Sequence, residues 1–361
     1  MSKIKVALIG VGNCASALLQ GVDYYKDQDP QGVMTADIGG YSPADIEVVT
    51  AFDINANKVG LPIEEAVWQK PNNAYTFSTV SNTAIVQPGI VLDSMADYQF
   101  HNFPVKEETV EDLKRGVGPI VKALVETGAE IAVCYLPVGS YEASRAYAKA
   151  CLNAKVSFIN AMPEFITTDK MWQEQFEING LVCAGDDVKS QVGATVVHRT
   201  LAHLIEMRGQ KINNTYQLNF GGNTDFENML DRSRLVNKEK SKTQSVTSLL
   251  DQIPHMKVGP SDFVSYLDDK KICYINIQGE QFGGAPFSIE LKLEVEDSPN
   301  SAGVICDAIR GVKLALDRHQ YGYCDAVSSW CFKSPSIQMP DLEAKQQFDR
   351  WIKPANQVGV R

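Results

Sequence analysis

The 361-residue sequence lacks several features that would place it in a membrane, an export pathway or a disulfide-rich class. No apolar run approaches the roughly 20 residues that span a bilayer. The short apolar stretch at the N-terminus continues into glycines without a small-residue cleavage site, so we expect no export and a cytoplasmic location. The eight cysteines are scattered and contain no CxxC pair, which favours reduced thiols over a disulfide framework or a zinc site.

Basic residues are also in short supply, with 34 Lys and Arg against 44 Asp and Glu and a formal net charge of −10. Nucleic-acid binding needs a basic face that contacts phosphates, so we expect no nucleic-acid partner. The five histidines show no metal-ligand spacing, and no Ser–His–Asp arrangement stands out. An acidic protein that binds a phosphorylated substrate must gather its lysines locally.

What the sequence does contain is an alternation of strand and helix patterns up to about residue 208. We predict strands at residues 3–9, 46–52, 89–92, 130–135, 156–159 and 181–184. We predict helices from Asn13 and at residues 109–127, 140–153 and 189–208. This alternation indicates an α/β fold with a doubly wound parallel sheet that helices cover on both faces.

A GxGxxA motif joins the first predicted strand to the first predicted helix. The first glycine, Gly10, allows a tight turn, and the second, Gly12, lets the backbone approach a pyrophosphate at the helix N-terminus. The second strand ends in Asp53, a carboxylate that can hold ribose hydroxyls and favours NAD over NADP. A long loop at residues 27–43 accounts for the wide spacing between motif and carboxylate. The residues predicted to bind the cofactor are Gly10, Gly12, Asn13, Cys14, Ala15 and Asp53.

These features predict a Rossmann-like NAD-binding domain, although a flavodoxin-like or other doubly wound sheet without NAD stays open. After Gln210 the pattern changes, and residues 270–281 and 285–297 alternate as antiparallel strands with one exposed face do. We expect residues 267–271 to form a hairpin corner. A helix with Ser298 as its N-cap should follow and, with the C-terminal segment, return to the first domain. The predicted domains are residues 1–200 with 300–361 for NAD binding, and 201–299 as an α+β catalytic and oligomerisation domain with a largely antiparallel sheet.

A cluster of basic residues precedes a short apolar segment, residues 246–250, for which we predict a helix. It contains Arg232, Arg234, Lys238, Lys240 and Lys242. The macrodipole disfavours cations at a helix N-terminus, so several of them there indicate that an anion shares the site. The alternative is a solvated run of charges on a flexible loop.

Taken in order, several segments resemble one family, the inositol-1-phosphate synthases (myo-inositol-3-phosphate synthases), and in particular its short bacterial form. The segments are VALIGVGNCASALLQGV, AFDINANKVG, YLPVGS, GDDVKSQVGAT, NFGGNTDFENML, NKEKSKTQSVTS, EVEDSPNSAG and FKSP. They extend over nearly the whole chain. GDDxKSQxGAT, GGNxDF and DSPNSAG are far more specific than a glycine motif.

The resemblance implies a reaction on glucose 6-phosphate that begins inositol biosynthesis. Enzymes of this family use tightly held NAD to oxidise C5, remove a proton from C6, close the ring by an aldol step onto C1 and reduce C5 again. No net oxidation or reduction results. The family also implies a homotetramer, an NAD cofactor and, in some members, a mono- or divalent cation, for which the metal ligands are unknown here.

The resemblance assigns the catalytic lysines to Lys238, Lys242, Lys271 and Lys333. Lys242 is expected to stabilise the developing C5 oxyanion or relay its proton, with Lys238 beside it. Lys271 and Lys333 are candidates for the C1 oxygen and the phosphate. Because the segment around Lys271 varies in length within the family, Lys270 stays open as an alternative.

The resemblance also assigns three functional aspartates, Asp187, Asp225 and Asp297. Asp225 is expected to orient Lys238 or to contact the nicotinamide end of the cofactor. Asp187 and Asp297 would orient lysines or ligate a cation. The positions that match cofactor contacts of similar sequences are Tyr147, Ser190, Asp225 and Lys238.

Two other functions use the same cofactor domain. An NAD-dependent oxidoreductase of the homoserine or amino-acid dehydrogenase type would release NADH in proportion to product. A non-catalytic NAD-sensing or assembly protein would have little need for converging lysines. The family reading predicts product formation with only catalytic NAD.

Overall fold

The computed structural model of the protein describes residues 3–96, 104–106 and 116–353. The predicted helix segment 109–115, His101 and the C-terminal residues 354–361 lie outside the described residues. The strands are β1 (Ile4–Ile9), β2 (Ile46–Asp53), β3 (Val86–Pro88), β4 (Ile131–Cys134), β5 (Ser157–Asn160), β6 (Val182–Ala184), β7 (Lys211–Gly221), β8 (His255–Phe263), β9 (Lys270–Glu280), β10 (Pro286–Glu296) and β11 (Gly322–Tyr323). The α-helices are α1 (Asn13–Tyr24), α2 (Ile63–Ala66), α3 (Gly118–Thr127), α4 (Tyr141–Ala154), α5 (Lys170–Ile178), α6 (Ala194–Met207), α7 (Thr224–Asn228), α8 (Val236–Thr247), α9 (Asp297–Asp317), α10 (Asp325–Cys331) and α11 (Asp341–Ile352).

A parallel sheet forms the first layer and confirms the predicted α/β fold. Its seven strands lie in the order β11-β6-β5-β4-β1-β2-β3. Strand β1, inside this sheet, pairs in parallel with β2 on one side and β4 on the other, for example Val6 with Val48 and Ile131. Strand order therefore reverses at β1, and ligands of doubly wound sheets bind in the crevice beyond such a switch point.

The third strand of this sheet lies earlier than predicted, at Val86–Pro88 instead of residues 89–92. The chain leaves the sheet after Pro88. The amide of Gly89 still donates to the Asp53 carbonyl at 2.8 Å, whereas the amide of Ile90 donates to the hydroxyl of Tyr147 at 2.8 Å. The predicted position of this strand was therefore wrong. The Tyr147 side chain of α4 accepts the Ile90 amide, which a strand at residues 89–92 would have used for pairing within the sheet.

Two helices begin at residues other than those predicted. Helix α6 starts at Ala194 after the extended Gly193, so the predicted start at residue 189 was wrong. Residues before it pair with the C-terminal segment, as Lys189 donates its amide to the Cys331 carbonyl. Helix α9 starts at Asp297 with Glu296 as its N-cap, which places Ser298 inside the first turn and not at the cap.

The second sheet is mixed, in the order β10-β9-β7-β8. Strands β9 and β10 are antiparallel, as predicted, and β9 is also antiparallel to β7. Strand β8, however, runs parallel to β7 and does not pair with β9. Residues 264–269 therefore cross from one side of β7 to the other, and the predicted hairpin corner at residues 267–271 was wrong.

The C-terminal part of the described chain returns to the first sheet, as expected. Buried residues of α9, such as Ile305 and Ile309, share one apolar core with β1, and Phe348 of α11 packs there too. A separate core lies under the second sheet and includes Ala194 and Ile205 of α6. The domain limits at residues 200 and 300 stay a prediction, with α6 crossing the first of them.

All eight cysteines fall within the described ranges and are free thiols, as expected. Among the helices of the described ranges, none has both the length and the apolar character needed to cross a membrane.

Candidate active site

A large cleft lies beyond the carboxyl ends of β1, β2 and β4 and extends to the second sheet. It encloses about 1730 Å³, including space that opens to solvent. Its lining extends from the glycine turn at Gly10 and Gly12 to Lys271 and Lys333, so one continuous cleft joins the turn to the lysines.

The glycine motif forms the turn between β1 and α1, as predicted, and lines one wall of the cleft. Gly10 has φ +95°, and a Cβ there would lie 3.0 Å from the carbonyl oxygen of Tyr135. A Cβ at Gly12 would meet no protein atom within 4 Å. Gly10 is thus required by the turn itself, whereas Gly12 leaves space in front of the N-terminus of α1.

Asp53 lies at the end of β2 beside this turn, also as predicted. Its two carboxylate oxygens accept the amides of Val11 and Asn55, each at 2.8 Å. The carboxylate therefore fixes the glycine loop as well as bordering the cleft.

Sequence reasoning missed Lys58, which lies next to this turn and also lines the cleft. Lys58 is buried, and its ammonium donates to the Val11 carbonyl at 2.9 Å and to Asn72 at 2.8 Å. Burial lowers the pKa of Lys58, although the negative charge of Asp53 opposes this. Lys58 lies in the segment AFDINANKVG, but nothing in that segment indicates its partners, Val11 and Asn72, which are far from it along the chain.

The basic segment is itself helical, which corrects the prediction of a helix only at residues 246–250. Arg232–Leu235 forms a single 3-10 turn, and α8 follows over Val236–Thr247. Lys238 and Lys242 are therefore one helical turn apart on the same face and both line the cleft. Lys238, Lys240 and Lys242 therefore lie inside the helix and not ahead of it, where they were predicted, whereas Arg232 and Arg234 do precede its N-terminus. The spacing of 238, 242 and 246 was the signal that would have revealed the helix.

The other basic residues of this segment form structural contacts. Arg232 pairs with Asp262 at 2.7 Å on the surface, and Lys240 is exposed above the ring of Phe165. Arg234 is buried and donates to backbone carbonyls of Asp93, Met95 and Val138, so it holds two loops that border the cleft.

The structure brings the four predicted lysines together in the cleft, from α8, β9 and the loop after α10. Lys271 of β9 lines it, whereas Lys270 is half-exposed and lies 3.7 Å from Glu294 on the surface.

Three of these lysines have an aspartate partner, and the partners are the three predicted aspartates. The pairs are Lys238 with Asp225 at 2.7 Å, Lys271 with Asp297 at 3.1 Å and Lys333 with Asp187 at 2.8 Å. Asp187 also accepts the hydroxyl of Ser241 of α8 at 2.6 Å.

Lys242 differs from the other three lysines. Among the described residues it forms no ion pair, and its ammonium donates only to the Ser261 hydroxyl, at 3.4 Å. Burial lowers the pKa of Lys242 well below its ordinary value, and the charges of Lys238, Lys271 and Lys333 lower it further, against a smaller opposing effect of Asp187. A buried amine of this kind can exchange a proton near neutral pH.

The pKa values of the paired groups shift in different directions. Burial lowers the pKa of Lys333, although its partner Asp187 opposes this. Burial would also lower the pKa of Lys271, but its partner Asp297 outweighs this and raises it. Burial would raise the pKa of Asp225, but Lys238 holds it below its ordinary value. Lys271 and Asp225 thus stay charged, and among these lysines the pKa of Lys242 is lowered most, since no carboxylate of the described residues pairs with it.

A fourth carboxylate, Asp269, was missed by sequence reasoning. It is buried and accepts the side chains of Asn13 at 2.9 Å, Ser298 at 2.7 Å and Asn223 at 3.3 Å. Burial raises its pKa to about 6, Asp297 adds to the rise, and these hydrogen bonds oppose it. Asp269 thus joins the glycine-motif helix to the residues next to Asp225 and Asp297.

The remaining predicted cofactor residues also border the cleft. Cys14 and Ala15 lie in the first turn of α1, and Ser190 precedes α6. Tyr147 of α4 is fully buried, and its hydroxyl accepts the Ile90 amide.

Several buried polar atoms of the cleft wall have no hydrogen-bond partner among the described residues. They are the hydroxyls of Ser94, Tyr135 and Ser301 and Nδ2 of Asn219. Buried polar groups are normally paired, so these atoms indicate a polar ligand. Within the described part of the chain, no group of three or more His, Cys, Asp or Glu side chains could hold a metal ion, and the cation stays a prediction.

Comparison with known proteins gives consistent similarities. Residues 193–298 match the sequence profile of the family described as myo-inositol-1-phosphate synthase. Inositol-3-phosphate synthases of Corynebacterium glutamicum and Mycobacterium tuberculosis H37Rv are each 44% identical over 97% of this chain, which corresponds to 98% and 96% of those proteins. A crystal structure of a myo-inositol-1-phosphate synthase-related protein from Thermotoga maritima superposes with a TM-score of 0.85 at 25% identity, covering 97% of this chain and 98% of that one.

Proposed function

The chain belongs to the myo-inositol-1-phosphate synthase family, and we propose that it converts D-glucose 6-phosphate to 1D-myo-inositol 3-phosphate, the reaction implied by the names of its relatives. The observation that carries this proposal is the meeting of four lysines beside a dinucleotide-type glycine turn. An NAD-dependent oxidoreductase needs the glycine turn. Ring closure needs, in addition, several cations at the positions where negative charge develops on oxygen atoms.

NAD is the cofactor that fits the residues of the cleft. The open space at Gly12 and the N-terminus of α1 suit a pyrophosphate, and the carboxylate of Asp53 suits a ribose. The unpaired hydroxyls of Ser94 and Ser301 are available to its polar groups. When bound there, NAD would supply reversible hydride transfer at C5 of the sugar.

Lys242 is the proposed acid–base group. With its pKa lowered by burial and by neighbouring lysines, its neutral amine can take the proton of the C5 hydroxyl and later give it back. Lys238, one turn away, stabilises the negative charge that develops on the same oxygen. Asp225 holds Lys238 in place through the 2.7 Å pair.

Lys271 and Lys333 are proposed to bind the C1 oxygen and the phosphate. Asp297 and Asp187 orient them, and each pair leaves ammonium protons free for a ligand. The N-terminus of α6 also lines the cleft, at Gly193 and Ala194, and has no side-chain cap, so its amides can share the phosphate.

We propose a homotetramer assembled through the second sheet, within the catalytic and oligomerisation domain. Strand β10 lies at the edge of that sheet, and Phe282 just before it is 99% exposed. Exposed apolar side chains of this kind are often covered by a second subunit. Light scattering of the purified protein should give a mass four times that of the chain. The free thiols support a reducing, cytoplasmic location.

The proposal is tested by incubating purified protein with glucose 6-phosphate and a small amount of NAD. Phosphorus NMR should show the product in large excess over NAD, with no net change in nicotinamide absorbance. NADH formed in proportion to product would instead indicate an oxidoreductase. NAD binding without any turnover would indicate a sensor.

A further inference from the structure

Asp186 is a buried carboxylate that the proposed function does not use. It is the first aspartate of the segment GDDVKSQVGAT, and the family resemblance assigns a role only to its neighbour Asp187. Asp186 is fully buried, and no Lys or Arg of the described residues pairs with it. A carboxylate buried without a cation is costly unless several hydrogen-bond donors contact it. The donors around Asp186 therefore indicate what it holds in place.

The loop that joins β5 to α5 supplies most of these donors. The amides of Ile166, Thr167 and Thr168 each donate to the Asp186 carboxylate at 3.1 Å. The hydroxyls of Thr167 and Thr168 add bonds of 2.9 and 2.8 Å, and Nδ2 of Asn160, at the end of β5, adds another of 2.8 Å. Burial raises the pKa of Asp186 to about 6 and these bonds oppose the rise, so the carboxylate is ionised near neutral pH and only accepts.

The backbone next to Asp186 is held from two sides. Asp187 has φ +62°, a left-handed conformation that a residue with a Cβ seldom adopts. Its amide donates to the carbonyl of Met162 in the β5–α5 loop at 2.9 Å, and its carbonyl accepts the Lys333 amide at 2.7 Å. The Asp186 carbonyl accepts the amide of Ser334 at 3.1 Å. The two aspartates thus connect the β5–α5 loop to the loop that carries Lys333.

The conformation of Asp187 matters because its side chain joins two elements of the site. One carboxylate oxygen pairs with Lys333 at 2.8 Å, and the other accepts the hydroxyl of Ser241, the neighbour of Lys242 in α8, at 2.6 Å. A left-handed backbone at a residue with a Cβ persists only where surrounding contacts impose it. Loss of the Asp186 contacts would therefore let the Asp187 backbone relax and turn its carboxylate away from Lys333.

We propose that Asp186 is a positioning residue, which fixes the backbone of Asp187 to the β5–α5 loop and so directs the Asp187 carboxylate to Lys333. The inference rests on the proposed function, since it assumes that Lys333 binds the C1 oxygen or the phosphate of a sugar phosphate. Asp186 does not itself line the cleft. Its effect on a ligand must therefore pass through Asp187 and Lys333.

The test is a double-mutant cycle on the NAD-loaded protein, in which calorimetry measures the affinity for D-glucitol 6-phosphate, a hexitol phosphate that cannot cyclise. Asp186→Asn places an NH2 group against amides that can only donate, so it should weaken binding about tenfold. Lys333→Met removes the ammonium and should weaken binding about tenfold or more. The double variant should bind within about twofold of Lys333→Met alone, because Asp186 acts through Lys333.

A purely structural role would give a different result. Asp186→Asn would then weaken binding by the same factor in the Lys333→Met background as in the parent, and the positioning role would be wrong. Asp169→Asn is the matched control, because Asp169 lies at the end of the same loop, where its side chain accepts the Met171 amide at the start of α5. That control should leave the affinity within about twofold of the parent.

Thr168 provides a second test that leaves the carboxylate in place. Thr168→Val keeps the shape of the side chain but removes one donor to Asp186, so it should weaken binding about three- to tenfold. Thr168→Ser keeps the hydroxyl and should bind as the parent does. These two variants decide the question if Asp186→Asn does not fold, and equal affinities of the two would contradict the proposal.

The outcomes separate this inference from the proposed function. If the parent protein binds no hexitol phosphate, both fail. If the parent binds it and Lys333→Met binds it equally well, the proposed role of Lys333 is wrong, and this inference fails with it. If Lys333→Met binds more weakly but folded Asp186→Asn binds as the parent does, only the role of Asp186 is wrong.

Discussion

Asn13 of the glycine-motif helix donates its side-chain amide to Asp269 at 2.9 Å, across 256 residues of sequence. Asp269 immediately precedes β9, which carries Lys271, and it also accepts the hydroxyl of Ser298 at the start of α9. The buried carboxylate of Asp269 therefore connects the glycine turn to β9 and α9, which carry the ion pair of Lys271 and Asp297. Its ionisation has consequences for stability that can be measured.

Asp269→Asn should gain stability relative to the parent as pH rises. The pKa of Asp269 is raised by burial to about 6 in the folded protein from an ordinary 3.8. The neutral form of Asp269 contributes stability that is fully present below pH 3.8 and is lost as the pH rises through about 6. Between pH 5 and pH 8 the parent should lose about 1–2 kcal/mol relative to the variant. Urea unfolding at both pH values measures this difference.

Asp268→Asn is the matched control for that experiment, because the same change is made at an exposed neighbouring residue. Its stability relative to the parent should stay constant between the two pH values. A constant difference for Asp269→Asn as well would show that its carboxyl is not held neutral by burial.

Lys242→Ala should abolish turnover of glucose 6-phosphate while leaving the fold and NAD binding intact. Loss of a proton-transfer group costs about 10²–10⁴-fold in rate. Lys240→Ala, on the exposed side of the same helix, should retain the parental rate. Rates come from phosphorus NMR and NAD affinity from calorimetry. Turnover that survives in Lys242→Ala would assign the proton transfer to another group.

The pH profile of turnover should report the same amine. Because the reaction needs Lys242 neutral, kcat/KM should rise with pH through its lowered pKa, with a midpoint well below 10.5. Lys238 lowers that pKa by its charge, so Lys238→Met should move the midpoint of the residual activity to higher pH. A midpoint that stays in place would contradict the coupling between the two lysines.

Gly12→Ala and Gly10→Ala should have opposite consequences. A methyl group at Gly12 meets no protein atom, so the variant should fold normally but lose NAD affinity about tenfold or more, since the methyl enters the space proposed for the pyrophosphate. Gly10 has a positive φ and lies against Tyr135, so its substitution should lower the melting temperature. Unchanged NAD affinity in Gly12→Ala would place the cofactor elsewhere.

Lys58→Met should weaken NAD binding by about tenfold. Its ammonium holds the Val11 carbonyl and Asn72 together behind the glycine turn, and methionine keeps the length of the side chain without the hydrogen bonds. Exposed Lys122→Met is the control and should bind NAD as the parent does. Calorimetry with ADP-ribose should show the same loss as NAD, because ADP-ribose carries the same pyrophosphate that the glycine turn is proposed to hold.

Local signals in the sequence were enough for the elements whose pattern is set by neighbouring residues. Gly10 and Gly12 were identified because a turn between strand and helix requires them at fixed spacing. Strand β10 was identified because alternate side chains face opposite sides. The start of α9 and the position of β3 were missed, since Asp269 and Tyr147 reach those backbone amides from distant parts of the chain.

The sequence by itself determined the parallel sheet, the glycine turn and, through the family resemblance, which lysines and aspartates matter. Only the tertiary structure decided how they are paired, that Lys242 lacks a carboxylate partner among the described residues, and that Lys58, Asp269 and Asn219 belong to the same cleft. The physical reason is that a strand or turn depends on residues a few positions apart, whereas burial, charge pairing and an unpaired amide depend on chain segments that meet only after folding.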